Sequence, residues 1–181
     1  MRSVIAATAI LVAAACSKSE SPPLGATKNT LADSADQILF HAKFTITDKG
    51  LRRAEIEGDT AYFFHDNTLL VIHPLHAKFY SSNGAFDGLV QGREGRYDTG
   101  RAMLEARGDV VINSLDGKRL ETPFCRYDQR LDQISSDSTF YMSEPGRDLR
   151  GKGFRSDAGL NSLTVTTLIS SKPGRIALPP E

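Results

Sequence analysis

The stretch Ala102-Met103-Leu104-Glu105-Ala106-Arg107-Gly108-Asp109-Val110-Val111-Ile112-Asn113 decides the fold. Leu104 and Ala106 alternate with Met103, Glu105 and Arg107, and after Gly108-Asp109 the residues Val110 and Ile112 alternate with Val111 and Asn113. A period of two sends one set of side chains to a buried face and the other to water, which is the pattern of a half-buried β-strand. The same alternation sets Leu39, His41 and Lys43 against Phe40, Ala42 and Phe44. No window carries the stripe of a packed amphipathic helix.

Turn signals punctuate the chain outward from this stretch, among them Asp48-Lys49-Gly50, His65-Asp66-Asn67, Ser82-Asn83-Gly84, Asp98-Thr99-Gly100, Asp116-Gly117, Pro145-Gly146 and Asp157-Ala158-Gly159. Short loops return a chain only into a neighbouring antiparallel strand, so this punctuation predicts a run of hairpins. The turns also repeat in kind. Asp48, Asp98, Asp128 and Asp157 each open a turn that leads into a new strand, at separations of 50, 30 and 29 residues, and Tyr80 to Gly84 offers a degenerate copy inside the first gap. A recurring two-strand unit predicts an elongated β-array. The Asp itself has a structural explanation: its carboxylate accepts the backbone N–H two residues on.

Composition bounds the rest. The chain has 181 residues, 22 basic against 22 acidic, 40% apolar, with 15 Gly, two Cys and no Trp. This suffices for one ordinary domain. Neutral charge without a Lys/Arg block argues against a nucleic-acid partner, which needs a basic face to meet phosphates. There is no apolar tract of about 18 residues or more to span a bilayer as a helix.

The N-terminus reads as a processing segment rather than as fold. Residues 1–15 combine Arg2, an apolar run from Val4 to Ala15 and small residues before Cys16, the layout of a secretory signal. Cys16 directly after small residues resembles the lipoprotein form, in which this Cys is diacylated and anchors the mature chain to a membrane; an ordinary signal peptide with a chance Cys is the other reading. Several acyl chains make such an anchor durable, because a single chain holds only marginally. Residues 16–36, rich in Ser and carrying Pro22 and Pro23, read as a flexible tether. The folded domain is expected over residues 37–171, and 172–181, with Pro173, Pro179 and Pro180, as a disordered tail.

With Cys16 acylated, Cys125 stands alone and no internal disulfide is available. It reads as a small semi-buried apolar residue. His41, His65, His73 and His76 are the only histidines. On a strand, the i, i+3 pair His73 and His76 points to opposite faces, so no metal site is expected. Nothing resembles a phosphate loop or a nucleophile elbow. The expectation is a non-enzyme with no cofactor, a β-rich hydrolase being the reading set against it.

One ordered set of segments makes the chain recognisable. Phe44 to Gly50 leading into Leu51–Asp59, then Ile72-His73-Pro74, Gly108–Asn113, Gly117–Thr122, Tyr127-Asp128 and Gly151-Lys152-Gly153-Phe154 together resemble the LptC family over roughly Leu39 to Ile169. The resemblance implies a twisted, elongated antiparallel β-jellyroll, open along one side, whose apolar groove holds lipopolysaccharide acyl chains. It implies a periplasmic protein that takes lipopolysaccharide from the inner-membrane LptB/LptF/LptG ABC transporter at its N-terminal edge, around Leu39 to Ile46. It then passes the lipid to an LptA-like bridge protein at its C-terminal edge. Family members usually begin with a transmembrane helix, whereas here the anchor reads as lipid. The inner membrane is the location implied by the family, and Ser17 after the Cys favours the outer membrane.

Given such a groove, the apolar strand residues Phe44, Ile46, Phe63, Val71, Phe79, Phe86, Leu104, Val110, Ile112, Phe124, Ile134, Phe140, Met142 and Phe154 are the expected lining. Ten buried methylenes supply on the order of 8 kcal/mol before ordering costs, enough to hold lipid without covalent chemistry. A closed core that never admits a ligand is the competing expectation. A terminal strand over Leu160 to Ile169, uncharged and rich in β-branched residues, reads as an edge open to pairing. Its expected partner-binding residues are Leu160, Leu163, Val165 and Thr167, with Gly151 beside them. The alternative functions are a non-enzymatic structural envelope lipoprotein that assembles edge to edge without lipid, or an LptA-like bridge component.

Overall fold

The computed structural model describes residues 30–173. The expected signal segment, Cys16 and residues 16–29 of the expected tether lie outside the described residues, as does the tail from residue 174. A single turn of helix, α1 (Thr30–Ser34), precedes eleven strands: β1 (Gln37–Asp48), β2 (Leu51–Phe64), β3 (Leu69–His73), β4 (Leu75–Tyr80), β5 (Phe86–Gly92), β6 (Glu94–Asp98), β7 (Met103–Ser114), β8 (Arg119–Asp128), β9 (Gln133–Glu144), β10 (Arg147–Ser156) and β11 (Thr164–Pro173). Two sequence expectations shift at their ends. Thr30–Ser34, assigned to a flexible tether, is helical, with Leu31 and Ala32 half-buried. Lys172 and Pro173, assigned to the tail, continue β11 beside Asp148 and Arg147.

Every pairing is antiparallel, and all but β2–β4, β3–β6 and β5–β7 join strands consecutive in the chain. β3 and β4 behave as two halves of one ribbon, divided at the cis His73–Pro74 peptide, since both pair with β2. β5 and β6 are likewise two halves of the next ribbon, and both pair with β7. The result is a meander whose outermost strands are β1 and β11; among the described residues neither pairs with a further strand on its free side.

A crease crosses this meander. The register slips between Arg107 and Val110 in β7, between Glu121 and Arg126 in β8, and between Lys152 and Phe154 in β10. In β8 the buried positions switch from Leu120 and Thr122 to Cys125 and Tyr127, and in β10 from Leu149 and Gly151 to Phe154 and Ser156. An extra residue in a strand reverses which face each side chain takes, so a bulge at the crease lets one long strand bend while both its halves face the same interior. Gly108, Asp109 and Gly153 lie there with positive φ, a backbone that Gly adopts without penalty.

The repeat expected from the turns is present in the burial pattern. Leu104, Ala106, Val110 and Ile112 of β7 correspond to Ile134, Ser136, Phe140 and Met142 of β9, each 30 residues on. Three of the Asp carboxylates bond within their own turns, but only Asp128 at the expected spacing: Asp128 Oδ1 accepts from Arg130 N at 2.9 Å, whereas Asp98 Oδ1 accepts from Arg101 N, three residues on, at 2.9 Å and Asp157 Oδ1 from Asn161 N, four on, at 2.8 Å.

The meander folds over on itself around one apolar core. Early strands supply Ala54, Ile56, Ile72, Leu75 and Phe79; later strands supply Leu104, Ile112, Leu120, Ile134, Phe140, Met142 and Phe154. Phe79 of β4 meets Tyr127 of β8 edge to face at 4.6 Å, and Phe140 meets Phe154 at 5.4 Å. Such edge-to-face pairs are favoured by the ring quadrupoles. The terminal strand differs from its expected bounds. It begins at Thr164, and residues 157–163 form a loop held by Asp157, which also accepts from Ser162 Oγ at 3.2 Å. That loop carries Ala158 and Leu160 into the core.

Candidate functional site

Two clefts open on the surface, an apolar one beneath the edge strand β1 and a mixed polar and apolar one beneath β11. The first, about 270 Å³, is lined by Phe44 and Ile46 of β1, Ile56 of β2, Leu70 and Ile72 of β3 and Tyr97 of β6, with Thr45, Thr47, Thr99 and Gln129 also on its wall. The inward face of β1 creates it: Phe44 remains half-buried and packs its ring against Phe63 at 5.8 Å, edge to face. The second, about 470 Å³, lies beneath β11, lined by Met142, Leu149, Leu160, Leu163, Val165 and Leu168, with Lys118, Glu144 and Arg147 among its polar residues.

Of the fourteen residues expected to line a groove, Phe44, Ile46 and Met142 reach these two clefts. Phe63 is half-buried and packs on the core. Phe79, Leu104, Val110, Ile112, Ile134, Phe140 and Phe154 belong to the core between the clefts. Three expected residues face elsewhere. Val71 is buried but lies on the opposite face of β3 from Leu70 and Ile72, beside Tyr62 and Arg96, and is not in the core cluster. Here all of Leu70, Val71 and Ile72 are buried, so alternation gives no sign of which is inward. Phe86 sits at a hairpin end, 37% exposed, against Tyr80. Phe124 lies at the β8 bulge and carries Arg107 and Arg126 over its ring, at 5.1 and 5.7 Å.

A third cleft, about 700 Å³, lies at the crease among Val111, Arg119, Glu121, Thr139, Tyr141 and Arg150, with Val110, Thr122 and Phe140 also on its lining. It coincides with the place where β8 and β9 stop pairing, between Glu121 and Arg126. Buried hydroxyls bridge the gap: Thr122 Oγ1 donates to Thr139 O at 3.0 Å and Ser136 Oγ to Phe124 O at 2.6 Å. Its cations and carboxylates balance, Arg119 lying 2.9 Å from Glu121.

The edge residues expected to bind a partner separate into two groups. Thr167 is exposed on β11, and Leu163 and Val165 are half-buried against the core. Leu160 is in the core at a positive φ and is not on the edge, because the Asp157 turn folds it inward. Gly151 is buried in β10, where Leu168 is its β11 neighbour. Leu168 and Ile169 are exposed at 57% and 55%, and on β1 Phe40 is exposed at 68%.

One polar cluster, built around a buried guanidinium, has no counterpart in the sequence reading. Arg53, at the start of β2 and nearly buried, ion-pairs with Asp132, which precedes β9. Tyr127 Oη donates to Asp132 Oδ1 at 2.9 Å. Burial works against the Arg53 charge, the Asp132 carboxylate works for it, and the balance lies above the usual arginine range. Burial also pushes the Tyr127 phenol above its ordinary range. It raises the free thiol of Cys125 to about 12, so this cysteine is chemically inert at neutral pH. No sequence signal joins Arg53 to Asp132, since 79 residues separate them.

His73 Nε2 lies 3.2 Å from Glu94 Oε2, and Gln91 Nε2 lies 3.1 Å from His76 Nδ1. Among the described residues no group of three or more metal-ligating side chains converges. What the arrangement provides is apolar volume opening on the surface next to two free backbone edges. A model of the family described as lipopolysaccharide-assembly, LptC-related, matches residues 3–170. No curated protein matches the chain.

Proposed function

The chain belongs to the LptC family of lipopolysaccharide-transport proteins, and on that premise we propose that it carries lipopolysaccharide by its acyl chains and hands it to an LptA-like bridge protein. The observation that supports this reading is the cleft formed by Phe44, Ile46, Ile56, Leu70 and Ile72, which leads from the surface beneath β1 to the core. Apolar walls suit fatty chains because each methylene removed from water contributes about 0.8 kcal/mol. In this reading the cleft is the container and the two outermost strands are the docking edges, and transfer of a lipid between such containers breaks no bond.

The proposed path has a direction. The free edge of β1, with Phe40 exposed, is the side offered to the LptB/LptF/LptG transporter. The free edge of β11, with Leu168 and Ile169 exposed, is the side offered to the bridge protein. An unpaired strand presents N–H and C=O groups in register for another strand, so a continuous sheet could extend across each contact. In this reading residues 1–15 are a signal segment, Cys16 carries the lipid anchor on the periplasmic side of a membrane, and the residues up to 36 tether the jellyroll. Family members are periplasmic and membrane-associated.

Native mass spectrometry of the full-length chain tests the function. Co-purified lipopolysaccharide or lipid A mass on the wild-type protein, reduced by Phe44→Asp or Met142→Asp, is the expected result. A protein that flies only as apo monomers and oligomers would favour edge-to-edge assembly without cargo, which the two unpaired edges also permit.

A further inference from the structure

The turn between β8 and β9, Asp128–Asp132, does more than reverse the chain. Asp128 Oδ1 fixes it from within by accepting from Arg130 N and Leu131 N at 2.9 and 3.2 Å. It is then tied outward to three other segments. Gln129 N donates to Ala102 O at 3.1 Å and Arg130 Nη2 to Gly100 O at 3.1 Å, joining it to the β6–β7 turn. Gln129 Nε2 donates to Thr47 O at 3.1 Å, joining it to the end of β1, and Asp132 takes the Arg53 guanidinium of β2. Tyr97 Oη donates to Gln129 Oε1 at 3.1 Å.

Thr47, Tyr97 and Gln129, all held in this network, are also on the wall of the 270 Å³ cleft that contains Phe44 and Ile46. The bond that fastens the turn to β1 is thus a polar closure beside an apolar opening, and the Arg53–Asp132 pair ties the same turn to β2 away from the cleft wall. We propose that Asp128–Asp132 is a strap across this cleft, and that its two fastenings, Arg53–Asp132 and Gln129–Thr47, set the rate at which an acyl chain enters and leaves. This rests on the acyl-chain reading above and adds regulation of that same cleft.

The mechanism follows from where each bond sits. The cleft has β1 on one side and β3 with β6 on the other; widening it moves β1 away from the turn, which stretches the Gln129–Thr47 bond first. Arg53 stays anchored through Asp132 to Tyr127, whose ring is seated on Phe79 in the core, so strap and core recoil together. An ion pair that is nearly buried on one side resists separation because an unpaired guanidinium would be left there. Arg53 and Asp132, which are not on the cleft wall, are therefore positioning residues for lipid exchange, while Gln129 is both a fastening and part of the wall.

The chain has no Trp, so Phe44→Trp in the full-length protein, in detergent micelles, gives a single emitter in the cleft. Rapid mixing with a brominated fatty acid then reads acyl arrival as quenching. Gln129→Ala and Asp132→Asn, the latter keeping an acceptor for Tyr127, are each expected to speed quenching and its reversal by about fivefold, the scale set by losing one such bond. Val71→Ala, a destabilising change on the face of β3 turned away from the cleft and outside the core cluster, is expected to leave the rates where they were. Equal rates in parent and strap variants, or equal acceleration by Val71→Ala, would overturn the strap while leaving acyl binding intact. Absence of quenching in every variant would overturn the acyl-chain reading and the strap with it.

Discussion

Gly151 lies under the ring of Phe140: a Cβ placed on Gly151 would come within 2.7 Å of the Phe140 Cε1 atom and 2.8 Å of the Thr167 carbonyl oxygen. β9, β10 and β11 meet at this point with no room for a methyl group, and the β10–β11 register slips beside it, between Arg150 and Gly151. The last strand is therefore held to the domain through a position that admits only glycine.

Gly151→Ala is expected to cost about 1–3 kcal/mol as an overpacked site and to loosen β11. Hydrogen exchange should show lost protection at the β11 amides that bond to β10, with β7 and β8 less affected. If β11 docks the bridge protein, pull-down should weaken in parallel. Unchanged exchange across Thr164–Ser171 would contradict the role given to this contact.

Phe154 makes the complementary case from the interior. It is fully buried and meets Phe140 edge to face. Phe154→Ala should lower stability by about 3–5 kcal/mol, read from urea unfolding at constant m-value. A change under about 1 kcal/mol would mean that this end of the core collapses around the loss.

Alkaline stability depends on the buried thiol and phenol. Burial raises Cys125 from 9.0 to about 12 and raises Tyr127 as well. A raised folded-state value means that the unfolded chain ionises first. The stability carried by the neutral forms is thus complete below pH 9.0 and is lost as the pH climbs through the folded values. Cys125→Val should flatten the melting temperature between pH 9 and pH 11 relative to wild type, and an unaltered alkaline slope would contradict burial of this thiol.

The acid limb has a different origin on the outer face. Lys43 Nζ lies 3.0 Å from both Glu55 Oε1 and Glu57 Oε1, and its hydrogen bonds hold both carboxyls below their ordinary value of 4.5. A depressed carboxyl contributes stability above 4.5 that is lost as the pH falls through its folded value. Lys43→Ala should reduce the difference in melting temperature between pH 7 and pH 3, modestly, because Lys43 and Glu57 are exposed to solvent screening and Lys78 remains beside both carboxylates. A difference as large as in the wild type would remove the cluster from the account.

Alternation made the strands around Leu104, Val110 and Ile112 legible, because one face of each is solvated and the other is not. The Asp98, Asp128 and Asp157 turns were legible for a local reason: each carboxylate bonds within its own turn. Val71 escaped because three successive buried residues give no face to choose. Leu160 escaped because a left-handed backbone at a non-glycine residue carries no sequence signal. Phe124 reads as apolar wherever it points, and only the bulge in β8 turned it toward Arg107 and Arg126. The strap was invisible for a further reason: Arg53 and Asp132 become neighbours only when the meander folds over.

Photocrosslinking in cells tests the central claim most directly. A photoreactive amino acid at Phe44, at Ile46 or at Met142 should yield a lipopolysaccharide adduct, and the same probe at Phe86, on the far side of the hairpin, should not. Adducts absent from all three cleft positions, or equally abundant at Phe86, would contradict a lipid carried inside the jellyroll.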